Sequence, residues 1–320
     1  MMNVLMLAIN DPAGTAIQFC RAVNAHTEHT CRLATLETRY THAWKADLHV
    51  PDLDEAGLAE LGDLFRTSDI FHFHMTADEH VRFGPYLAAD FMHGKSIVHH
   101  HHGHHDFRSN PESFREKYKA LGRHNLLVST PDLLRLLPEA CWQPNLVPLN
   151  DPALLPRLDR PGPEEPLRVA HSPTRKDLKN TDEFLAVVQA LRDRGLPLDV
   201  DLIDDVPNAE CLERKNRCHV LFDHMQGYYG VSSLEGLSQG LAVIAGLDDW
   251  NRKHIMEFTG AEELPWLAAH DEESLTRVLQ ELIRDRDLCV ARGKASRTFM
   301  ENFWSDARMA RNLALFWGSC

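Results

Sequence analysis

Three basic residues, Arg175, Lys176 and Lys179, crowd into one loop of LRVAHSPTRKDLKNTDE, residues 167–183. An apolar stretch of strand length ends just before them at His171, and Asn180 or Thr181 can cap the helix that follows. A helix start carries unpaired N–H groups and partial positive charge, so cations beside it suit a diphosphate. Solvated loop cations are the other reading. A second cluster lies in VLFDHMQGYYGVSSLEGLSQGLAVIA, residues 220–245. A strand ends at Asp223, and a loop with Gly227 and Gly230 leads into a helix near Ser232. Glycine lets backbone approach a ligand closely. Glu235, placed in the first turn of that helix, can accept bonds from ribose hydroxyls or simply be a favourable helix-start charge.

Histidine is the third source of chemistry. Of 20 histidines, six fall in KSIVHHHHGHHDFR, residues 95–108. The run is internal, and His72 and His74 end the preceding strand. A metal site, an acceptor-side catalytic loop and a polar packed loop are all open. Strand residues alternate between faces, so residues 99–102 cannot all converge, and a metal would need selected members with partners such as Asp106 or Glu79. His102, His104 and Asp106 are the catalytic candidates, able to contact an acceptor hydroxyl or act as general base in an inverting reaction. No HExxH pattern is present and no metal ligand is assigned. Asp199-Val-Asp201 lies inside a strand pattern and is read as chance.

The elements that must position these residues alternate. Strands are predicted over residues 4–10, 31–35, 70–74, 96–100 and 126–129, with helices over 15–24, 55–66, 78–89 and 111–121. Residues 151–166, DPALLPRLDRPGPEEP, carry five prolines and can sustain neither a helix nor a central strand, which marks a linker. Alternation resumes with strands over 167–171, 198–203, 220–223 and 242–245 and helices over 181–193, 209–217 and 232–238. Helices over 272–284, 288–301 and 306–316 close the chain. Such alternation predicts an α/β protein of two Rossmann-like doubly wound domains facing a central cleft, with ligands at the carboxyl ends of the strands.

Bulk properties narrow the partners. Hydrophobic residues make up 43% of 320, enough for two packed cores. A net charge of −13 repels a phosphate backbone, so no nucleic-acid partner is expected. The seven cysteines show no CxxC pair, which suits reduced thiols in the cytoplasm. MMNVLMLAIN has no basic leading region or small-residue cleavage site and reads as a first strand. No apolar run is long enough for a transmembrane segment; peripheral membrane contact stays open.

Residues 167–183 and 220–246 together resemble the donor domain of GT-B glycosyltransferases, especially glycosyltransferase family 4 (glycosyl transferases group 1). The resemblance implies that Arg175 and Lys179 grip the donor diphosphate. It implies further that the turn at Tyr229, Gly230, Val231, Ser232 and Ser233 offers backbone N–H groups to the phosphates, that Glu235 bonds the ribose, and that Val206 lies by the base. The family's sugar-facing Glu is absent, since Gly227 stands eight positions before Glu235. More loosely, the turn at Asp11 and Gly14, with His74 and the His-rich loop, resembles the acceptor side. The implied division is an acceptor-binding domain over 1–150, a linker over 151–166, a donor domain over 167–302, and a last helix over 303–320 crossing back to the first domain. The implied activity is transfer of a hexosyl group from a nucleotide-diphosphate sugar to a saccharide, lipid-linked or other small acceptor, with retention, in bacterial polysaccharide or glycoconjugate synthesis. No cofactor is required beyond that co-substrate, because Arg and Lys can neutralise the leaving diphosphate. A non-catalytic nucleotide-sugar binding protein and a metal-dependent enzyme using the His-rich loop are the rival readings.

Overall fold

The computed structural model describes residues 1–38, 47–157, 159, 160, 162 and 164–320. Leu158, Pro161 and Pro163 of the proline-rich stretch lie outside them. The chain divides into two units: Met1–Leu146 with Asp306–Cys320, and Val147–Ser305.

In the first unit the elements run β1 (Asn3–Ala8), α1 (Thr15–His26), β2 (Thr30–Thr35), β3 (Leu48–His49), α2 (Glu55–Thr67), β4 (Ile70–His74), β5 (Arg82–Phe83), β6 (Tyr86–Leu87), β7 (Ser96–His101), α3 (His105–Ser109), α4 (Pro111–Leu121), β8 (Asn125–Val128) and β9 (Cys141–Trp142). Seven strands form a parallel sheet in the order β3-β2-β1-β4-β7-β8-β9. β1 and β4 are almost wholly buried; β1 is a near-continuous apolar run, as a strand covered on both faces requires, while β4 alternates apolar residues with His72 and His74. The chain order reverses at β1, between β2 and β4, which puts a switch point at the carboxyl ends of β1 and β4.

The helix expected over 78–89 is absent. Gly84, with φ of +59°, and Pro85 turn the chain, and β5 pairs with β6 antiparallel. Pro85 removes a backbone donor, and the positive φ is incompatible with a continuing helix.

Residue parity sorts the histidines. Phe73 pairs with His99 and His74 with His100 across β4 and β7. Leu5, Leu7, Phe71, Phe73 and Ile97 enter one apolar core, so His72, His74 and His100 belong to the opposite face. That face meets α1, where Phe19 lies 5.8 Å from His100 between ring centroids. It also meets α11 (Asp306–Trp317), whose Trp317 stands edge-on to His72 at 5.8 Å. Helix α11 packs along α1 and is pinned by buried Gln143, whose Nε2 donates to Met309 O at 3.3 Å and whose Oε1 accepts from Asn312 at 2.8 Å.

The second unit contains β10 (Leu167–His171), α5 (Thr181–Asp193), β11 (Leu198–Leu202), α6 (Asn208–Asn216), β12 (Val220–Phe222), α7 (Val231–Ser238), β13 (Ala242–Ala245), α8 (Asp249–Thr259), β14 (Leu267–Ala268), α9 (Glu272–Arg284) and α10 (Arg286–Phe303). Its five strands are parallel in the order β11-β10-β12-β13-β14. The switch point falls at the ends of β10 and β12. The core joins Val169, Phe184, Val188, Phe222, Ile244 and Leu279 from sheet and helices. All seven cysteines are free. No helix among the described residues is long and apolar enough to cross a membrane.

Candidate functional site

At the switch point of the second unit, Asp223 is the organising residue. It follows β12 directly, so the end of the strand fixes its backbone. Its Oδ2 accepts from the Gly230 N–H at 2.7 Å and from Ser233 Oγ at 2.7 Å, tying the loop to the start of α7. Its Oδ1 accepts from Lys179 Nζ at 2.6 Å. Burial alone would raise the Asp223 pKa; the Lys179 charge, His224 and the Gly230 N–H outweigh it and hold the carboxylate well below its ordinary range. Asn180, in the left-handed region at φ +53°, accepts from Met225 N at 2.9 Å and from Gln226 Nε2 at 3.2 Å. The start of α5 thereby holds the loop after β12. His171 is buried between Phe222 O at 3.0 Å and Thr181 Oγ1 at 2.8 Å, and burial lowers its pKa to about 4, so it is a neutral structural link.

A second pair lies beside the first. Lys215 Nζ reaches Glu235 Oε2 at 2.5 Å and Ser232 Oγ at 2.9 Å, and Ser172 Oγ lies 3.1 Å from Ser232 Oγ. Lys215 is only 2% exposed. Burial pulls its pKa down, but the carboxylate of Glu235 more than compensates and raises it, so the ammonium stays charged. Glu235 is the fifth residue of α7, and that helix has no acidic residue in its first turn. The helix-start role considered for Glu235 is therefore replaced by an ion pair one turn further in.

Of the three loop cations, Lys179 reaches this centre through Asp223. Arg175 pairs with Asp177 at 2.5 Å and Lys176 with Asp204, each at an exposed position. Val206 is half-buried between β11 and α6. Gly230, Val231, Ser232 and Ser233 form the start of α7; Asp223 holds the Gly230 N–H and the Gly230 carbonyl accepts from Ser233 N at 3.1 Å, which leaves the Val231 and Ser232 N–H groups to the helix end. Tyr229 contributes backbone there, but its ring is 1% exposed and packs against Trp266 and Trp304. Asp199 and Asp201 pair with Arg192 and Arg214.

Lys215 and Asp223 were not anticipated as site residues. In NAECLERKN, residues 208–216, Lys215 reads as one more solvated helix charge. Its signal was spacing: it stands three after Leu212, on the same buried stripe.

Gly246, just beyond β13, backs the loop. A Cβ there would lie 2.6 Å from the Met225 carbonyl carbon, and the Gly246 N–H donates to His224 O at 2.8 Å. Gly246→Ala is expected to cost about 1–3 kcal/mol by forcing this backbone apart, read by urea unfolding. A loss under about 0.5 kcal/mol would show that the loop yields freely.

In the first unit, Asp11 caps α1, accepting from Ala16 N at 3.1 Å and Ile17 N at 3.0 Å, and Gly14 makes the turn at φ +65°. Burial raises the Asp11 pKa against those bonds. His74 Nδ1 lies 2.9 Å from His102 Nε2, and His102 Nδ1 lies 3.1 Å from Asn145 Oδ1; burial brings the His102 pKa down to about 4. His104 and Asp106 lie together at the start of α3, with 3.7 Å between Nδ1 and Oδ2. On the other face of β7, His99 Nε2 is 3.5 Å from Glu79, which accepts from Arg123 at 2.6 Å. His101 Nε2 lies 2.8 Å from the Tyr118 hydroxyl. Glu79, considered as a partner for a metal, thus belongs to the face away from His72, His74 and His100.

Two parallel sheets, each with helices and a switch point at its strand ends, define a pair of Rossmann-like domains. The whole chain follows GT-B glycosyltransferase structures. It superposes on HepE from Anabaena in complex with UDP and glucose with a TM-score of 0.66, at 10% identity over 100% of both chains. Sucrose-phosphate synthase from Thermosynechococcus elongatus gives 0.62 at 13% identity, over 100% of this chain and 99% of that one. UDP-GlcNAc 2-epimerase from Neisseria meningitidis bound to UDP-GlcNAc gives 0.54 at 10% identity over 100% of both. No protein-family model matches the sequence, and no curated protein matches it.

Proposed function

We propose that this chain is a glycosyltransferase that moves a sugar from a nucleotide-diphosphate donor to an acceptor hydroxyl, with donor binding assigned to the second unit. The observation that carries this reading is the convergence of Lys179, the Gly230–Ser233 helix start and the Lys215–Glu235 pair at the ends of β10 and β12. Lys179 together with the Val231 and Ser232 N–H groups of the helix start can take up the charge that grows on a departing diphosphate. Asp223 sets the position of Lys179 and of the Gly230 turn. Glu235, with one oxygen on Lys215, keeps an oxygen for a ribose hydroxyl, while Arg175 and Val206 are assigned to the diphosphate and the base. The fold neighbours solved with UDP or UDP-sugars support this reading.

Asp11, Gly14, His74, His102, His104 and Asp106 are assigned to the acceptor side. The sugar-side contact is open at Gly227, and in a retaining transfer the donor phosphate can take the acceptor proton without a dedicated base. A family 4-like role in cytoplasmic bacterial glycan assembly completes the reading.

A thermal-shift series with UDP, GDP, ADP, TDP and CMP tests it. At least one nucleotide is expected to raise Tm, with about 2.7 kcal/mol of stabilisation when present at 100 times its Kd. Lys179→Ala is expected to weaken that binding by about tenfold or more, as loss of a charge-assisted contact does. No shift with any nucleotide, or full binding by Lys179→Ala combined with Arg175→Ala, overturns the assignment.

A further inference from the structure

The face of β4 and β7 that carries His72, His74 and His100 buries nitrogens that no atom of the described residues satisfies. His72 and His100 each have both ring nitrogens closed to solvent without a hydrogen-bond partner, and His74 has its Nε2 in the same state. The three side chains are at most 2% exposed. One nitrogen from each lies within 4.8 Å of the others. Buried polar atoms in folded proteins nearly always have partners, and three adjacent rings lacking them at one point call for a ligand that all three can bind. We propose that His72, His74 and His100 form a site for one transition-metal ion of the imidazole-preferring class, with zinc as the first candidate.

The surroundings fit that assignment. Histidine binds metal as neutral imidazole, and burial, reinforced by the neighbouring rings, holds all three well below the ordinary histidine pKa. The rings already stand together: His72 and His74 stack at 4.6 Å between centroids, and His100 is 5.4 Å from each. Four-coordinate zinc takes nitrogens at about 2.0–2.1 Å, or about 3.3 Å from one another, so the set closes when nitrogens now within 4.8 Å of one another move nearer by at most about 1.5 Å.

The neighbouring shell fixes which nitrogen of His74 is available. Asn145 Oδ1 accepts from His102 Nδ1, so His102 Nε2 is the acceptor for His74 Nδ1–H. The lone pair of His74 is then on Nε2, the nitrogen without a partner. A ligating histidine whose other N–H is held by a hydrogen bond is the usual arrangement around a protein-bound metal. An all-nitrogen set selects against magnesium and calcium, which take oxygen ligands. It brings no negative charge, so the fourth position favours an anion such as hydroxide.

The test uses full-length protein without a histidine tag, never exposed to a nickel column. After equilibration with zinc chloride and gel filtration, elemental analysis is expected to give about one zinc per chain. Apo protein is expected to gain Tm with zinc, and cobalt(II) to give the visible absorption of a low-coordinate nitrogen site. His72→Ala and His100→Ala are each expected to lower bound zinc to about a fifth or less, as loss of one of three ligands does. Replacing the exposed His80, His93 and His105 by Ala is expected to leave it at one. Because zinc stoichiometry and the cobalt spectrum are read on the unmutated chain, a variant that fails to fold leaves the proposal testable. Wild-type protein that retains no zinc and gives no cobalt band overturns it, leaving water as the partner of these nitrogens. Zinc lost with the surface triple but kept by His72→Ala also overturns it.

Discussion

Glu235→Ala is expected to lower folding stability by about 3–5 kcal/mol, the cost of leaving a buried charge without its partner. Lys215 is 2% exposed and also donates to the Ser232 hydroxyl. Urea unfolding at neutral pH measures the loss. The double substitution Lys215→Met with Glu235→Leu is expected to recover most of it, because an apolar pair of similar volume needs no desolvation of charge. The same double variant separates two roles. If Glu235 serves only Lys215, nucleotide binding returns with stability; if it also holds the ribose, the refolded variant stays deficient in binding. A loss below about 1 kcal/mol for Glu235→Ala would mean that the pair behaves like an exposed surface bridge.

Asp223→Asn is expected to cost about 3 kcal/mol at neutral pH, the lower end for breaking a buried pair, because Lys179 is 22% exposed and can recover water. It also changes the response to acid. The folded-state pKa of Asp223 is depressed, so its contribution is fully present above the unfolded value of about 3.9 and is lost as pH falls through the lower folded value. Wild-type stability should therefore decline below about pH 4 in part through this group, and the variant should decline less steeply over the same range. Chemical unfolding at stepped pH provides the check. Parallel acid profiles for the two proteins would remove Asp223 from the account.

Much of this arrangement was legible in the residues themselves. The bounds of β4, β10, α4, α5, β13 and α9 coincide with the sequence reading, because apolar period, proline and capping residues agree there. The helix read over 78–89 is absent because Gly84-Pro85 turns the backbone there. Strands β3, β9 and β14 have two residues each, too few for any period to show. Within the site, Lys179, Gly230 and Glu235 stood out by their places beside strand ends and helix starts. Asp223 was seen only as a strand terminus, since its partners come from 44 residues earlier and 7 to 10 residues later. Lys215 was hidden because a lysine in a charged helix normally faces water. The histidine run showed its parity but not its partners: that His100 meets His72 and His74 depends on β4 lying beside β7, a choice of neighbour that local pattern does not encode.

The first unit is interrupted in the chain, with all of Val147–Ser305 between β9 and α11. Synthesis therefore delivers every residue of the second unit before the helix that covers the first unit's sheet. During that interval α1 has no α11 beside it, Gln143 lacks Met309 and Asn312, and the edge of His72 is without Trp317. A nascent chain arrested before residue 306 would present its imidazole face to the surrounding solution, and docking of the last helix would close it. Order of translation thus decides when this face is first covered.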